Sequence, residues 1–201
     1  MQPLLLAALR RHLLGVRSAC AGLGRQYATV YESAPKSTSF ITCLVKGGLA
    51  DAFIQSRFEQ RQALLFSEQR NALFACWSGA NGVLQHQIFN LAFNRAFGTA
   101  TSLTVAFEKA VAATLLVTPL VNMPFYYACK PIIEGYGYDP REGLAEYARG
   151  FRLFLKTSPP VWLPIHMLTF SAVPYEFRVA WMASVSLAWL LFVAWVSGRR
   201  A

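Results

Sequence analysis

Three long runs without Asp, Glu, Lys or Arg dominate the hydrophobic pattern of the chain. They cover residues 71–94, 110–129 and 179–197. A helix needs about 20 apolar residues to cross the hydrocarbon core of a bilayer, so each run predicts a membrane-spanning helix. The last run also places tryptophans partly near its ends, where indoles favour the membrane–water interface. Its composition is therefore typical of a transmembrane helix.

A fourth, less apolar span is predicted over about residues 37–55. It contains Lys46 and Asp51, and charged groups inside a bilayer are costly unless they face protein or a water-filled space. One side of this helix should therefore face the other helices. Small residues four positions apart let helices approach closely, and two such pairs occur in this span and the next: Gly48 with Ala52, and Ser78 with Gly82.

The apolar segment over residues 157–175 differs from these spans because prolines interrupt it. They are Pro159, Pro160, Pro164 and Pro174. Proline removes a backbone donor and interrupts helices, and irregular backbone inside a bilayer must be shielded by protein. The pattern predicts a bent segment that leads into the last helix.

The charged residues are concentrated in the connections between the predicted spans. The connection over residues 130–156 mixes cations with anions, which indicates a short surface helix near residues 140–155. We predict an all-α membrane protein, a bundle of about four transmembrane helices with a proline-bent segment before the last one. Residues 28–198 form this single transmembrane helical domain, and four spans put both termini on one side of the membrane.

The composition agrees with this fold class. Of the 201 residues, 55% are hydrophobic and 14% are charged, whereas soluble domains carry about 25% charged residues. A soluble fold of this size still exposes much of its surface and could not cover so much apolar area. A lipid bilayer is therefore the first expected partner.

The net charge of +9 raises the question of nucleic-acid binding. A basic binding face would show Lys and Arg clustered together with aromatic side chains, and the sequence has no such cluster. Its cations instead lie at the two termini and in the connections, beside the apolar spans, which is typical of membrane proteins. We expect no nucleic-acid partner.

No pattern in the sequence indicates a metal site or an active site. The four cysteines are Cys20, Cys43, Cys76 and Cys129, and they form neither a C-x-x-C pair nor a Cys/His cluster. This spacing predicts neither a zinc site nor a disulfide framework. The nucleophile-elbow, Walker, zinc-protease and dinucleotide motifs are also missing from the sequence. We expect a protein that is not an enzyme and that binds no cofactor.

The N-terminal segment has the composition of a mitochondrial targeting helix. Leu6, Leu9, Leu13 and Val16 recur at helical spacing with arginines on another face, and the first acidic residue is Glu32. An amphipathic, arginine-rich segment without acidic residues is typical of mitochondrial import. We predict a targeting segment over residues 1–27, with processing after Tyr27, and a location in the mitochondrial inner membrane. The alternative is an uncleaved amphipathic helix on the membrane surface.

Several residues keep the spacing of a known family signature. In the C-terminal part they are Trp162, Phe170, Val173, Pro174, Arg178 and Trp189. Earlier in the chain they are Pro35, Gly48, Asp51, Gln55, Arg70, Gly79, Gly82 and His86. On these residues the chain resembles the Mpv-seventeen family, which includes the twenty-two-kilodalton peroxisomal membrane protein. The resemblance spans about residues 31–195.

The resemblance implies a small four-helix protein of the mitochondrial inner membrane or, alternatively, of the peroxisomal membrane. Some family members are linked with pore activity and mitochondrial homeostasis. The chain departs from the family where polar residues are usual: Thr169 and Leu190 stand in place of asparagines, His166 in place of a glutamine, and Glu108-Lys109 in place of an Asp-Gln pair. These departures favour a bundle that is needed for its shape rather than as a pore.

Six polar residues are candidates for the interior of the bundle or the lining of a pore: Lys46, Asp51, Gln55, His86, His166 and Arg178. Asp51 and Gln55 are one helical turn apart and face one side, where they either line a pore or hold helices together by hydrogen bonds. Lys46 either shares that role or extends to the lipid headgroups.

The histidines among these candidates are either proton relays or neutral buried imidazoles. Arg178 lies at a predicted helix start, where a cation is unfavourable because of the helix dipole. We therefore expect it to pair with a carboxylate or a lipid phosphate.

Two hypotheses about function follow. In the first, the protein is a structural accessory subunit of a larger respiratory or ATP-synthase membrane assembly, with other membrane subunits and anionic lipid such as cardiolipin as partners. In the second, it is a pore or small-solute channel in mitochondrial homeostasis, as the resemblance implies.

Overall fold

Helices make up almost all of the computed structural model, which describes residues 21–57 and 66–198. Within these two ranges there are seven helices and no strand. In chain order the helices are α1 (21–33), α2 (Pro35–Arg57), α3 (68–97), α4 (Leu103–Glu134), α5 (Pro140–Thr157), α6 (Pro159–Ser171) and α7 (Arg178–Gly198), with a 3-10 turn at Tyr175–Phe177 before α7. The all-α prediction is confirmed for the described residues.

Polar caps mark where three of these helices begin. The Ser67 hydroxyl accepts a hydrogen bond from the Arg70 N–H at the start of α3, at 3.2 Å. Ser102 caps α4 in the same way, and the Asp139 carboxylate accepts from the backbone of α5. Such caps satisfy backbone N–H groups that have no partner within the helix.

α3 and α4 each contain a π-helical section, at His86–Ala92 and at Ala113–Asn122. In α4 the section contains Pro119, which has no N–H to donate. The Thr118 hydroxyl donates to the Ala113 carbonyl at 2.8 Å and so satisfies a carbonyl within this section. Widened turns of this kind frequently occur at functional sites.

α2 and α3 form a closely packed hairpin because glycines lie at their contact. A Cβ on Gly47 would lie 2.5 Å from the Ser78 Cβ, and a Cβ on Gly82 would lie 2.5 Å from the Ser39 carbonyl oxygen. Gly48 of the first predicted pair also lies against α3, less tightly than Gly47: a Cβ there would make an ordinary contact at 3.7 Å with Ala75. The pair Ser78 and Gly82 does lie at the contact, opposite Gly47.

α5 and α6 run one after the other along α4, antiparallel to it. Lys130 near the end of α4 pairs with Glu146 of α5 at 2.6 Å. Farther along, the Tyr147 hydroxyl donates to the Pro119 carbonyl at 2.8 Å, and α6 then follows the first half of α4. The two short helices therefore form one broken partner for the long helix α4.

The prediction of a bent, irregular segment over residues 157–175 is wrong for most of that range. Pro159 and Pro160 occupy the first turn of α6, where a backbone N–H would have no helical partner in any case, and Pro164 lies inside the helix. The chain changes direction only at Ser158 and before Pro174. The predicted surface helix near residues 140–155 is confirmed as α5.

Among the described residues, two helices are long and apolar enough to cross a membrane: Leu103–Glu134 and Tyr175–Val196. They coincide with the predicted spans at residues 110–129 and 179–197. Only 17% of the apolar window in the second helix is buried within the protein, so most of its surface is available to lipid. The spans predicted at residues 37–55 and 71–94 are helical but do not reach that hydropathy, and their crossing of the membrane stays a prediction.

The first twenty residues of the predicted targeting segment lie outside the described residues. α1 includes Tyr27 and continues through the predicted processing site. The Tyr27 ring stacks on Phe177 with ring centroids 5.6 Å apart, and its hydroxyl lies 3.2 Å from the Thr42 hydroxyl. Processing after Tyr27 stays a prediction, and it would remove these contacts.

An aromatic core joins α3, α4 and α6. Phe89 of α3 meets Phe170 of α6 edge to face, with ring centroids 5.2 Å apart, and Phe93 stacks on Phe89 at 5.7 Å. Small residues of α4, including Ala106 and Ala110, pack against these rings. This core closes one end of the space in which the polar side chains of the bundle meet.

A polar cavity as the candidate functional site

A partly open cavity of about 510 Å³ lies between the helices, and every helix from α2 to α7 contributes to its lining. Ligand sites in proteins are typically concave spaces of about 300–1,000 Å³, mostly apolar with a few polar groups. The cavity has that character, because aromatic and aliphatic side chains alternate with amides, hydroxyls and one lysine. It is the candidate functional site.

Five buried polar atoms of the lining have no hydrogen-bond partner among the described residues. They are Trp77 Nε1, Asn81 Oδ1, Gln85 Oε1, Asn122 Oδ1 and Ser158 Oγ. Most buried polar atoms in proteins are hydrogen-bonded, because an unsatisfied one costs about 1–3 kcal/mol. Each of the five atoms has almost no exposed surface in this conformation, so a polar guest in the cavity would bond to them after their side chains rotate toward it.

Three of these residues form a line along α3. Trp77, Asn81 and Gln85 are four positions apart, and residues at that spacing lie on one face of a helix. Asn122 faces the same cavity from the end of the π-helical section of α4, and Ser158 from the junction of α5 and α6. None of these five residues was predicted from the sequence, although the four-residue spacing of the three on α3 could have indicated a polar face.

Lys46 also lines this cavity. Within residues 21–57 and 66–198 it makes no hydrogen bond or ion pair, and none of the lining residues described is an aspartate or a glutamate. The structure therefore supports its predicted place in the interior of the bundle and not an extension to the headgroups. It is the one formally charged side chain among the described lining residues.

The two predicted histidines have different surroundings. The His166 imidazole lines the cavity, and its Nδ1 lies 2.9 Å from the Thr114 hydroxyl. His86 lies away from the cavity, with its Nδ1 2.7 Å from the Tyr31 hydroxyl, which also accepts from the Asn90 amide at 2.7 Å. Both imidazoles are buried and hydrogen-bonded, as expected for neutral structural histidines; only His166 is placed to meet a guest.

Asp51 and Gln55 face one side, as predicted, but not the cavity. The Gln55 amide donates to Asp51 Oδ2 at 2.6 Å, and the Arg70 guanidinium donates to Asp51 Oδ1 at 2.8 and 2.9 Å. Asn71 donates to the Gly48 carbonyl at 2.8 Å beside them. These contacts connect α2 with α3, so the geometry favours the interhelical hydrogen bond over the pore lining for this pair.

Arg178 does not have the predicted carboxylate partner within the described ranges. Its Nε donates to the Val173 carbonyl at 3.4 Å, and its guanidinium lies over the Phe170 ring at 5.4 Å from the centroid. Its Nη1 is buried and has no partner there. The prediction overlooked that a carbonyl and an aromatic face from the preceding turn can hold a guanidinium at this helix start.

Lys109 is a second buried lysine, and the sequence analysis did not single it out as a site. Its ammonium donates to the Asn94 side chain at 2.9 Å and to the Gly98 carbonyl at 2.6 Å. Gly98 has a φ of 81°, a conformation that favours glycine, and ends α3 just before α4. Lys109 therefore stabilises the turn between two helices and does not face the cavity.

Comparison with known proteins concerns the C-terminal third of the chain. The model of the Mpv17 / PMP22 family matches residues 132–194. The resemblance to this family is confirmed there. Mpv17 / PMP22 proteins are membrane proteins, which agrees with the two apolar helices of this chain. No curated protein and no solved structure matches the chain.

The Mpv17 / PMP22 signature residues of the matched segment lie at the cavity or beside it. Trp162 and Trp189 line the cavity, with ring centroids 6.1 Å apart, while Phe170 belongs to the aromatic core. Pro174 precedes the turn that starts α7. The signature positions Pro35, Gly48 and Gly82 lie before the matched segment, and the resemblance there stays a prediction.

The departures from the Mpv17 / PMP22 signature are accommodated by local hydrogen bonds. The Thr169 hydroxyl donates to the Ile165 carbonyl at 2.7 Å and accepts from the Trp181 indole at 3.1 Å. His166 bonds to Thr114, and Leu190 adds an apolar side chain to the cavity. The polar character of the cavity therefore comes mainly from α3 and α4.

Proposed function

We propose that the protein is a pore or small-solute channel, and that the cavity inside its bundle is the place where the solute resides. The observation that carries this proposal is the set of five buried polar atoms around the cavity that have no protein partner. In a membrane protein, polar groups directed into the bundle commonly mark solute and ion pathways.

Packing alone does not account for this arrangement. Apolar side chains at the positions of Asn81, Gln85 and Asn122 would fill the bundle without the cost of about 1–3 kcal/mol for each unsatisfied group. Asp51 and Lys109 are paired within the protein, whereas Ser39, Ser78, Asn90 and Arg178 each keep one unpartnered atom away from the cavity. Of the nine buried side-chain atoms without a partner in the described ranges, five belong to residues of the cavity lining, and the proposal rests on this share.

The test is the permeability of the purified full-length protein in liposomes and planar bilayers. We expect conductance, and release of small polar solutes from loaded liposomes, above that of protein-free membranes. The double variant Asn81→Leu/Asn122→Leu should keep the fold and reduce both signals. Folded protein that gives neither conductance at any voltage nor solute release would overturn the proposal.

We also propose that the protein is not an enzyme. The lining residues described include no carboxylate, and no group of three or more metal-ligating side chains occurs in the described ranges. Together with the missing catalytic motifs, these observations favour passage of a solute over its chemical conversion.

The accessory-subunit hypothesis is a second proposal, with other membrane subunits and cardiolipin as partners. The apolar outer faces of α4 and α7 are compatible with either lipid or a neighbouring subunit. A native gel of membranes solubilised in mild detergent distinguishes a lone bundle in lipid from a subunit of an assembly, because a subunit would migrate with a large complex. Migration at the size of the lone bundle would contradict that role.

For the location we propose the mitochondrial inner membrane, with the peroxisomal membrane as the alternative. The support is the arginine-rich segment over residues 1–27. Full-length protein and a variant without these residues should be compared by cell fractionation. Import that does not depend on the segment would contradict the proposal, and N-terminal sequencing of the native protein tests the processing.

A further inference from the structure

The chemistry of the lining points to the kind of solute that the cavity takes. We propose that it selects small anions bearing carboxylate or phosphate oxygens, and that Lys46 is the group that binds them. This inference rests on the proposed channel function and adds to it the class of solute and the residue that selects it.

The first argument is the charge of the lining. Lys46 is the one formally charged side chain described there, and no carboxylate of the described lining neutralises it. Lys46 is half-buried, and an ammonium that is partly removed from water gains from a nearby countercharge, whereas the ammonium of Lys109 is satisfied by the protein itself. An anion in the cavity supplies the missing countercharge.

The second argument is the balance of donors and acceptors. The Trp77 indole N–H can only donate, and it is buried without a partner. Amide side chains can turn to present either N–H₂ or oxygen, because the two ends are nearly the same in shape. Asn81, Gln85 and Asn122 can therefore all add donors around an oxyanion, beside the ammonium of Lys46.

The third argument excludes small inorganic cations as the preferred guest. A cation in the cavity would meet the ammonium of Lys46 without a compensating carboxylate in the described lining. Repulsion between like charges is stronger in the low-dielectric interior of a bundle than in water. The volume of about 510 Å³ is large enough for an organic anion of metabolite size.

The test measures ion selectivity in planar bilayers under a potassium chloride gradient. The reversal potential of the wild type should show chloride preferred over potassium by about fivefold or more, the factor expected for one nearby charge even in water. Lys46→Gln should abolish this preference and Lys46→Arg should retain it. Lys36→Gln is the matched control, because Lys36 lies on the same helix but is exposed, and it should leave the preference unchanged.

A second measurement does not depend on conductance. Trp77, Trp162 and Trp189 line the cavity, so intrinsic fluorescence of the protein in neutral detergent reports on binding there. Titration with inorganic phosphate, and separately with acetate at equal ionic strength, should give a saturable change that is lost in Lys46→Gln and kept in Lys46→Arg. Comparison of the two titrations shows which oxyanion is preferred.

The outcomes separate the two proposals. Conductance without anion preference, or with a preference that Lys46→Gln does not change, overturns the anion inference and leaves the channel in place. Binding that depends on Lys46 without any conductance supports the anion site and overturns the channel. Lack of both conductance and binding overturns both proposals.

Discussion

Two polar regions of the bundle differ in how completely their groups are paired. At the joined ends of α2 and α3, Asp51 is held by Arg70 and Gln55, and Asn71 by a backbone carbonyl. In the cavity, five polar atoms and the ammonium of Lys46 have no partner among the described residues. The first region completes its hydrogen bonds within the protein, whereas the second does not, and the proposed solute site rests on that difference.

Buried Lys109 and half-buried Lys46 show the same difference on a smaller scale. The Lys109 ammonium donates hydrogen bonds to the Asn94 side chain and to the Gly98 carbonyl at the turn between α3 and α4. Lys46 is directed into the cavity. The two lysines therefore differ in whether the protein itself supplies partners for the ammonium. Variants should affect stability in the paired region and solute passage in the cavity.

The largest effect on stability is expected from Gly82→Ala in the hairpin. The new Cβ would lie 2.5 Å from the Ser39 carbonyl oxygen and 2.6 Å from Cys43 Sγ, so the helices must separate at a cost of about 3 kcal/mol. Gly150→Ala is the control, because nothing lies within 4 Å of its Cβ position, and it should stabilise slightly. Thermal unfolding in detergent measures both. Equal stability of the two variants would disprove the close contact.

The next largest effect is expected from Arg70→Ala in the paired region. It leaves the Asp51 carboxylate buried, with its side chain 6% exposed, and should cost about 2 kcal/mol because water can only partly replace the guanidinium. The double variant Arg70→Ala/Asp51→Ala should be more stable than Arg70→Ala alone. Channel selectivity should not change in either variant; a shift in selectivity would place Asp51 in the solute path.

A smaller effect is expected from Thr114→Val, which removes the hydroxyl 2.9 Å from His166 Nδ1. Loss of one buried hydrogen bond should cost about 1 kcal/mol. Thr104→Val on the same helix is exposed and serves as the control. Denaturant unfolding of both variants measures the difference. An unchanged stability of Thr114→Val would mean that His166 takes its hydrogen bond from the cavity instead.

The smallest effect on stability is expected from Asn122→Leu in the cavity. Its Oδ1 has no partner to lose, so the free energy of unfolding should not fall, and relief of the unsatisfied group should raise it by up to about 1 kcal/mol while solute passage falls. Asn71→Leu is the matched comparison, because it removes the bond to the Gly48 carbonyl at 2.8 Å, and it should destabilise without changing passage. Destabilisation by Asn122→Leu, or a loss of solute passage in Asn71→Leu, would contradict the difference between the paired region and the cavity.

The sequence predicted those features that depend on local composition. The charge-free run over residues 179–197 became α7, the mixed-charge connection became α5, and Asp51 with Gln55 share one face as their spacing required. These predictions succeeded because helical periodicity and apolar length act within a single segment.

The remaining features depend on contacts between segments that are far apart in the chain. The sequence alone does not show how those segments are placed against one another. The spacing did not show that Gly47 makes the closest approach to α3, nearer than its neighbour Gly48, because that depends on the rotation of α2 about its axis. The prolines of α6 were expected to break a helix that they in fact begin. The cavity is formed by six helices packed around Lys46, and it could not be predicted from the pattern of any single segment.

The most direct test of the cavity as a site for polar solutes is its accessibility to a charged reagent in the intact membrane. Ser158→Cys, in a chain whose four natural cysteines are replaced by serine, should react with an anionic methanethiosulfonate reagent. Leu120→Cys, on the outer face of α4 and 61% exposed in the bundle, should be protected by lipid. Reaction at position 158 and protection at position 120 is the predicted result. Protection of Cys at position 158 in folded protein, with reaction only after denaturation, would contradict it.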